Sequence, residues 1–382
     1  VTRPLARLLI VSDSPSLPAS YANIARNFAH EVSERGVSVA FGSLQHTGLP
    51  LRYEYRGRTY PHYGCAPPHR IVDAVTDFDP DLVIHIRDPL VHVVRFFPQG
   101  NYSVRKQVTN GAGVWGWLPA QHEVSPWDYI EAIHAEYDVV MPFTASGGEL
   151  LGNAGLVRDR IEPLQLGVSD AYADPDGPAA TGYGDPKVPL VMSVGLGHQD
   201  RKAFPVLMRA YREIAGRTNL EFYLHTLRIG AFDLEEHARM MGVEGKWMFP
   251  HLYDPGIGYP EDDLAKRYRR ARAYVSVGTG EGFDMPLSEA CALGRMVIYP
   301  DEPVRGEVVA DYEGPKAAVR SFPFPRNMNW ERMIDCDDLA RALLLVDGAA
   351  PDPAAGRRYY ERHSWARVAE KFLEIAKRRG VA

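Results

Sequence analysis

Apolar residues fall along the chain in short β-rich runs that alternate with segments of helical period. RLLIVSD (7–13), VSVAFGS (37–43), DLVIHI (81–86), VWGWL (114–118) and DVVMPF (138–143) read as buried strands. Between the first two, ASYANIARNFAHEVSERG reads as an amphipathic helix ending at Gly36. The stretch SDAYADPDGPAATGYGDPKVP is dense in Gly, Pro and Asp, and 169–188 reads as a linker. The alternation then restarts with PLVMSVG, a helix in AFPVLMRAYREIAG, LEFYLHT, a helix around LEEHARMMG, WMFPHL, a helix over 262–272, AYVSVG and MVIYP. Such alternation predicts parallel sheets with helices on their faces, in two α/β domains, 1–168 and 189–355, that enclose a cleft. Residues 356–382 read as a C-terminal helical segment.

Composition narrows the classes. The chain has 382 residues, too many for one ordinary core, with 45% hydrophobic and 24% charged residues. A formal net charge of -6 gives no general affinity for nucleic acid. The three cysteines, Cys65, Cys291 and Cys336, have no metal-type spacing, which argues against a disulfide scaffold or a zinc site and fits a reducing cytoplasm. VTRPLARLLIVSD is too short in its apolar part for a signal peptide, and no run reaches membrane-span length. From Arg357 to Arg379 there are eight Lys/Arg against three Glu, so a weak peripheral attraction to anionic lipid is a further expectation beside an ordinary solvated helix face.

The chemistry concentrates in GTGEGFDMPLSEACALG, residues 278–294, directly after AYVSV. The pattern predicts strand, turn and helix, with Asp284 as N-cap, Pro286 in the first turn and Gly294 closing the helix. On one continuous helix, Glu281 and Glu289 would stand about 12 Å apart along the axis, too far to share a proton. With one in the turn and one on the helix, they could hold opposite ends of an elongated ligand while N–H groups at the helix start face anionic groups between them. A nucleotide sugar has that shape: hydroxyls at both ends, diphosphate in the middle, and carboxylates accept hydrogen bonds from such diols. The ordinary alternative is a turn glutamate and a solvated helix glutamate.

EGFDMPLSEACALGRMVI resembles the signature of the retaining glycosyltransferase family 4, an E-x7-E pattern of the form EGFG-x-P-x-x-E-A-x-A-x-G-x-P-V. Glu281, Gly282, Phe283, Pro286, Glu289, Ala290, Ala292 and Gly294 are kept, while Asp284 replaces the usual second glycine and Met296 the usual proline. Upstream, MSVGLGHQDRKAFPVLMRAYREI is similar to the family's VGR...RKGFDVLIRAF. Lys202 matches its lysine, Leu196 stands where an arginine is common, and Arg201 would then supply the second positive charge. A dinucleotide-binding reading of Gly195-x-Gly197 fails because Asp200 occupies the third glycine position. SLPASYANIARNFAHEVSERG resembles the family's TGYGNVARNLAEEL without its glycines, which makes Ser20 and Tyr21 acceptor-side candidates. His122, in WLPAQHEVSPWDY, is the candidate acceptor-side histidine, and the 87–113 loop would shape the acceptor site. YYERHSWARVAEKFLEIAKRRG is similar to the family's C-terminal ending, whose last helix crosses back to the N-terminal domain.

The resemblance implies a GT-B architecture, two facing Rossmann-like domains with the active site between them. It implies transfer of a glycosyl group from a nucleoside-diphosphate sugar to a hydroxyl acceptor, with retention and without metal or other cofactor. Lys202, Arg201 and Glu281 would carry the chemistry. Gly195, Gly282, Phe283, Asp284, Met285 and Glu289 would bind the donor, Glu281 at the sugar and Glu289 at the ribose; the side chain of Asp284 would narrow the pocket or touch the sugar. A GT-B epimerase or phosphorylase and a non-catalytic GT-B partner protein are the other readings.

Overall fold

The computed structural model describes residues 5–48, 50–66, 70–88, 103–120, 127–196, 200–250, 259–326 and 329–381. The chain forms two compact units. One runs to Gly167 and includes Ser364 onward; the other takes the described residues from Val168 to His363.

In the first unit, strands β1 (Arg7–Ser12), β2 (Ser38–Ser43), β3 (Leu51–Tyr55), β4 (Arg58–Gly64), β5 (Leu82–Ile86), β6 (Gly113–Leu118) and β7 (Val139–Pro142) form one sheet in the order β3-β4-β2-β1-β5-β6-β7. Every pairing is parallel except the β3–β4 hairpin, an edge that the apolar runs did not announce. β5 is buried along its whole length, as a central strand covered on both faces must be. The predicted first helix spans Ser20–Glu34, and Gly36 beyond it takes a left-handed φ of 88°. It shares its face of the sheet with the C-terminal helix Trp365–Arg378: Phe28 stands edge-on to Trp117 at 4.9 Å and to Phe372 at 5.0 Å.

In the second unit, β8 (Leu190–Val194), β9 (Glu221–His225), β10 (Trp247–Met248), β11 (Ala273–Val275), β12 (Met296–Pro300) and β13 (Lys316–Val319) form an all-parallel sheet in the order β10-β9-β8-β11-β12-β13. Leu207, Leu220, Phe222, Leu224, Val275 and Ile298 lie in its core. A second hairpin, β14 (Ser321–Arg326) with β15 (Asn329–Ile334), follows the sheet and was not expected from the sequence.

Two boundaries differ from the sequence reading. Residues 169–188 are not a free linker but a strap laid on the second unit. Arg269 donates to the carbonyls of Asp174 (2.7 Å) and Ala171 (3.0 Å), Arg270 to that of Asp185 (2.7 Å), and Ala180 N donates to Lys266 O at 2.8 Å. The strap closes only short turns of its own, and arginines of the Glu261–Arg270 helix satisfy several of its remaining carbonyls. The C-terminal segment is two helices, not one: Pro353–His363 belongs to the second unit and only Trp365–Arg378 to the first.

Candidate functional site

In a doubly wound sheet, ligands meet the carboxyl ends of strands where the order reverses. In the second unit that point lies between β8 and β11. The two segments singled out in the sequence are the loops that leave these two strands.

After β8 the chain reaches a short 3₁₀ turn, Asp200–Lys202, that turns into the Phe204–Arg212 helix. The Lys202 side chain runs back across Gly195, where an added Cβ would lie 2.9 Å from its Cδ. A side chain at 195 would push the lysine off this path. Lys202 Nζ donates to Glu281 Oε1, and Arg201 Nη1 donates to the same oxygen at 3.1 Å and to Gly280 O at 2.9 Å. Both proposed cations and the first proposed carboxylate therefore converge. Burial pushes the Glu281 carboxyl up, but Lys202, Arg201 and Arg305 together outweigh it and hold the group at about 2. Gly278 gives the carboxylate its place, since a Cβ there would stand 2.9 Å from Glu281 Oε1.

After β11, Asp284 caps the Met285–Ala292 helix, accepting from Leu287 N at 3.3 Å, with Pro286 in the first turn and Gly294 (φ 68°) beyond the last. Gly282 and Phe283 are buried, and Met285 is half-buried at the first helical position. The Asp284 carboxylate turns inward to Arg305 Nε (2.8 Å) and Ser276 Oγ (2.5 Å). Its side chain is occupied within the loop.

Glu289 stands in a different environment. Its Oε2 is buried and, among the described residues, meets no hydrogen-bond partner in good geometry, although the hydroxyls of Tyr268 and Tyr172 approach the carboxyl. Burial pushes the group up to about 8, and Glu261 adds to the shift; the hydroxyls of Tyr268 and Tyr172 oppose it only in part. At neutral pH Glu289 is mostly the acid, able to donate or accept a hydrogen bond with a ligand hydroxyl. The groups that chiefly set the charge of Glu281 and of Glu289 are not shared, so the two do not act as a dyad.

Three contributors escaped the sequence reading. Arg305, fully buried, was indistinguishable from an exposed residue in the first turn of the Pro303–Val308 helix. Tyr172 lies in the stretch read as linker, packed edge-on to Tyr268 at 5.9 Å. Glu331 of β15 accepts from Thr279 Oγ1, so the second hairpin braces the Glu281 loop.

In the first unit, Ser20 is exposed and Tyr21 half-buried at the start of the first helix, beyond the carboxyl end of β1. His122 lies outside the described residues. The reversal point here is between β1 and β5, and it carries an ion pair the sequence reading missed: Arg87 Nη1 to Asp13 at 3.4 Å, with Gln45 donating to Asp13. The available signal was that Asp13 and Arg87 are each the first charged residue after an apolar run. Among the described residues, no three His, Cys, Asp or Glu side chains cluster as a metal site, and no helix is long and apolar enough to cross a membrane. Of the basic residues near the C-terminus, Arg357 pairs with Asp176, Arg358 and Arg362 with Glu313, Arg367 with Glu370, and Arg378 and Arg379 with Glu162.

No protein-family model matches the chain, and no curated protein matches it in sequence. Solved structures match it over nearly its whole length. Sucrose-phosphate synthase from Thermosynechococcus elongatus is 14% identical, with 98% of each chain covered and a TM-score of 0.70. A trehalose-6-phosphate synthase studied with bisubstrate glycomimetics, for glycosyltransfer with retention, is 12% identical, with 98% of this chain and 99% of that one covered and a TM-score of 0.66. Anabaena Alr3699/HepE, in complex with UDP and glucose, is 11% identical, with 98% of this chain and 100% of that one covered and a TM-score of 0.63. The fold is α/β with parallel-sheet Rossmann-like units, that of the GT-B glycosyltransferases.

Proposed function

We propose that the protein is a retaining glycosyltransferase of the family 4 type that moves a hexosyl group from a nucleoside-diphosphate sugar, with UDP the favoured nucleotide, to a hydroxyl-bearing acceptor. The observation that carries this reading is the convergence of Lys202 and Arg201 on Glu281 beside the start of the Met285–Ala292 helix, with the buried Oε2 of Glu289 on that same helix. Without ligand, both cations donate to the Glu281 carboxylate, and a diphosphate would take its place. In this reading the diphosphate takes Lys202 and Arg201, Glu281 turns to sugar hydroxyls, and Glu289 meets the ribose diol. The anomeric C–O bond to the diphosphate breaks, and the bond to the acceptor oxygen forms on the same face of the sugar. The acceptor proton passes to the departing phosphate oxygen. The two cations and the helix-start N–H groups stabilise the charge that grows on that oxygen, so the step needs neither metal nor cofactor. That the matched HepE structure holds UDP and glucose favours this class of donor. Three free cysteines, two of them buried, suit a cytoplasmic enzyme.

A thermal-shift screen with UDP, GDP, ADP and dTDP sugars tests the reading, because a ligand held only by the native state raises stability with the logarithm of its concentration. A shift with one nucleotide class is expected. No shift with any of the four at millimolar concentration would overturn the proposal.

A further inference from the structure

Residue 284 has φ 72° and ψ 66°, a left-handed conformation that non-glycine residues disfavour. Glycine would take it freely. Here an aspartate takes it, and its carboxylate meets an arginine with no exposure to solvent. The Arg305 guanidinium donates from Nε to Asp284 Oδ2 (2.8 Å) and Ser276 Oγ (2.9 Å), from Nη2 to Gly278 O (2.8 Å), and from Nη1 to Glu302. Three of its four partners, 276, 278 and 284, bracket Glu281. A Cβ on Gly278 would lie 2.9 Å from Glu281 Oε1 and 3.1 Å from Arg305 Nη2, so carboxylate and guanidinium meet at one glycine. A buried arginine with one carboxylate and one hydroxyl would hold a fold together; one that binds a loop at three points also sets the shape of that loop.

We propose that Asp284 and Arg305 are positioning residues: their buried ion pair does what a glycine's freedom would otherwise do, fixing residue 284 in the left-handed region and thereby placing Glu281 and the start of the Met285–Ala292 helix. Neither side chain touches a ligand. Asp284 supplies a side chain that tolerates positive φ better than most, and Arg305 supplies the fixed fork that selects one loop conformation. Glu302, whose carboxyl burial pushes up against the pull of Arg305, accepts from Nη1, so every nitrogen of the fork has a partner.

The test compares Asp284→Ala, Asp284→Asn, Asp284→Gly and Arg305→Met, first by amide hydrogen exchange of ligand-free protein. If the pair shapes the loop, exchange across 277–285 should quicken roughly tenfold or more in Asp284→Ala and Arg305→Met, with the rest of the second unit unchanged. Asp284→Asn and Asp284→Gly, which tolerate positive φ, should fall between these and the parent. Should Arg305→Met fail to fold, the order within the Asp284 series still decides. Equal exchange in all three Asp284 variants, or loosening spread over the whole unit, would show a merely structural pair. The second measurement is UDP affinity of the folded variants, which rests on the donor site proposed above; it should weaken in the same order. If the parent protein binds no UDP, the donor reading fails while the exchange data still judge the loop.

Discussion

Lys202 Nζ and Glu281 Oε1 form a direct ion pair in the ligand-free site, across two loops that leave neighbouring strands of one sheet. The lysine side chain passes close over Gly195 on its way. Gly195 and Lys202 on one loop and Glu281 on the other thereby give a path, a cation and a counter-ion.

Removing the cation tests its proposed hold on the diphosphate. Lys202→Ala should weaken UDP binding by about 1 to 3 kcal/mol, the range for a hydrogen bond to a charged group. Isothermal calorimetry on folded protein measures it, and an unchanged dissociation constant would remove Lys202 from the nucleotide site.

In the proposed site, Glu281 would compete with a diphosphate for Lys202 and Arg201. Glu281→Gln, which keeps the shape and removes the charge, should therefore leave UDP affinity equal or tighter, while the rate of sugar transfer falls because the sugar is no longer placed. Binding and initial rate, measured side by side, check the split. A loss of UDP affinity like that of Lys202→Ala would place Glu281 on the nucleotide instead.

The strands and the helix starts were legible because their signals are local: apolar runs for β1, β5 and β8, and Asp284 with Pro286 for the helix that carries Glu289. The residues that complete the site were not legible, because their roles are set by partners elsewhere in the chain. Arg305 in DEPVRGEVV has the local pattern of a solvated first turn, and only the packing of its helix against the Glu281 loop makes it a buried hub. Tyr172 sits in a stretch whose composition signals freedom, yet Arg269 and Arg270, on a helix much later in the chain, tie that stretch down. Asp284 was visible as a departure from the resemblance, but the inward turn of its carboxylate depends on Arg305 and could not be read from position 284 alone.

The C-terminal helix should be essential to the first unit. Phe372 is fully buried, edge-on to Phe28 at 5.0 Å and to Trp115 at 6.1 Å. Phe372→Ala should cost about 3 to 5 kcal/mol, the range for removing a core aromatic ring. Denaturant unfolding followed by tryptophan fluorescence reads it, since Trp115 packs on the Phe372 ring and Trp117 on its neighbour Phe28. A change under about 1 kcal/mol would mean that the helix is dispensable.

The two glutamates should leave opposite signatures in pH. Glu289 is raised from 4.5 to about 8 in the folded chain, so the stability it contributes is fully present below 4.5 and is lost as pH rises toward 8. Glu281 is lowered from 4.5 to about 2, so its contribution is present above 4.5 and is lost as pH falls toward 2. Thermal unfolding between about pH 5 and pH 8 should thus show a smaller loss of stability with rising pH in Glu289→Gln than in the parent protein. Below about pH 4.5, Glu281→Gln should lose less stability than the parent as acid is added. UDP adds a further consequence. Ribose hydroxyls that donate to the Glu289 carboxylate favour its ionised form, so binding at neutral pH should release a proton that Glu289→Gln does not release. Calorimetry in two buffers of different ionisation enthalpy reads that proton directly. Equal release from the parent protein and from Glu289→Gln would separate Glu289 from the ribose.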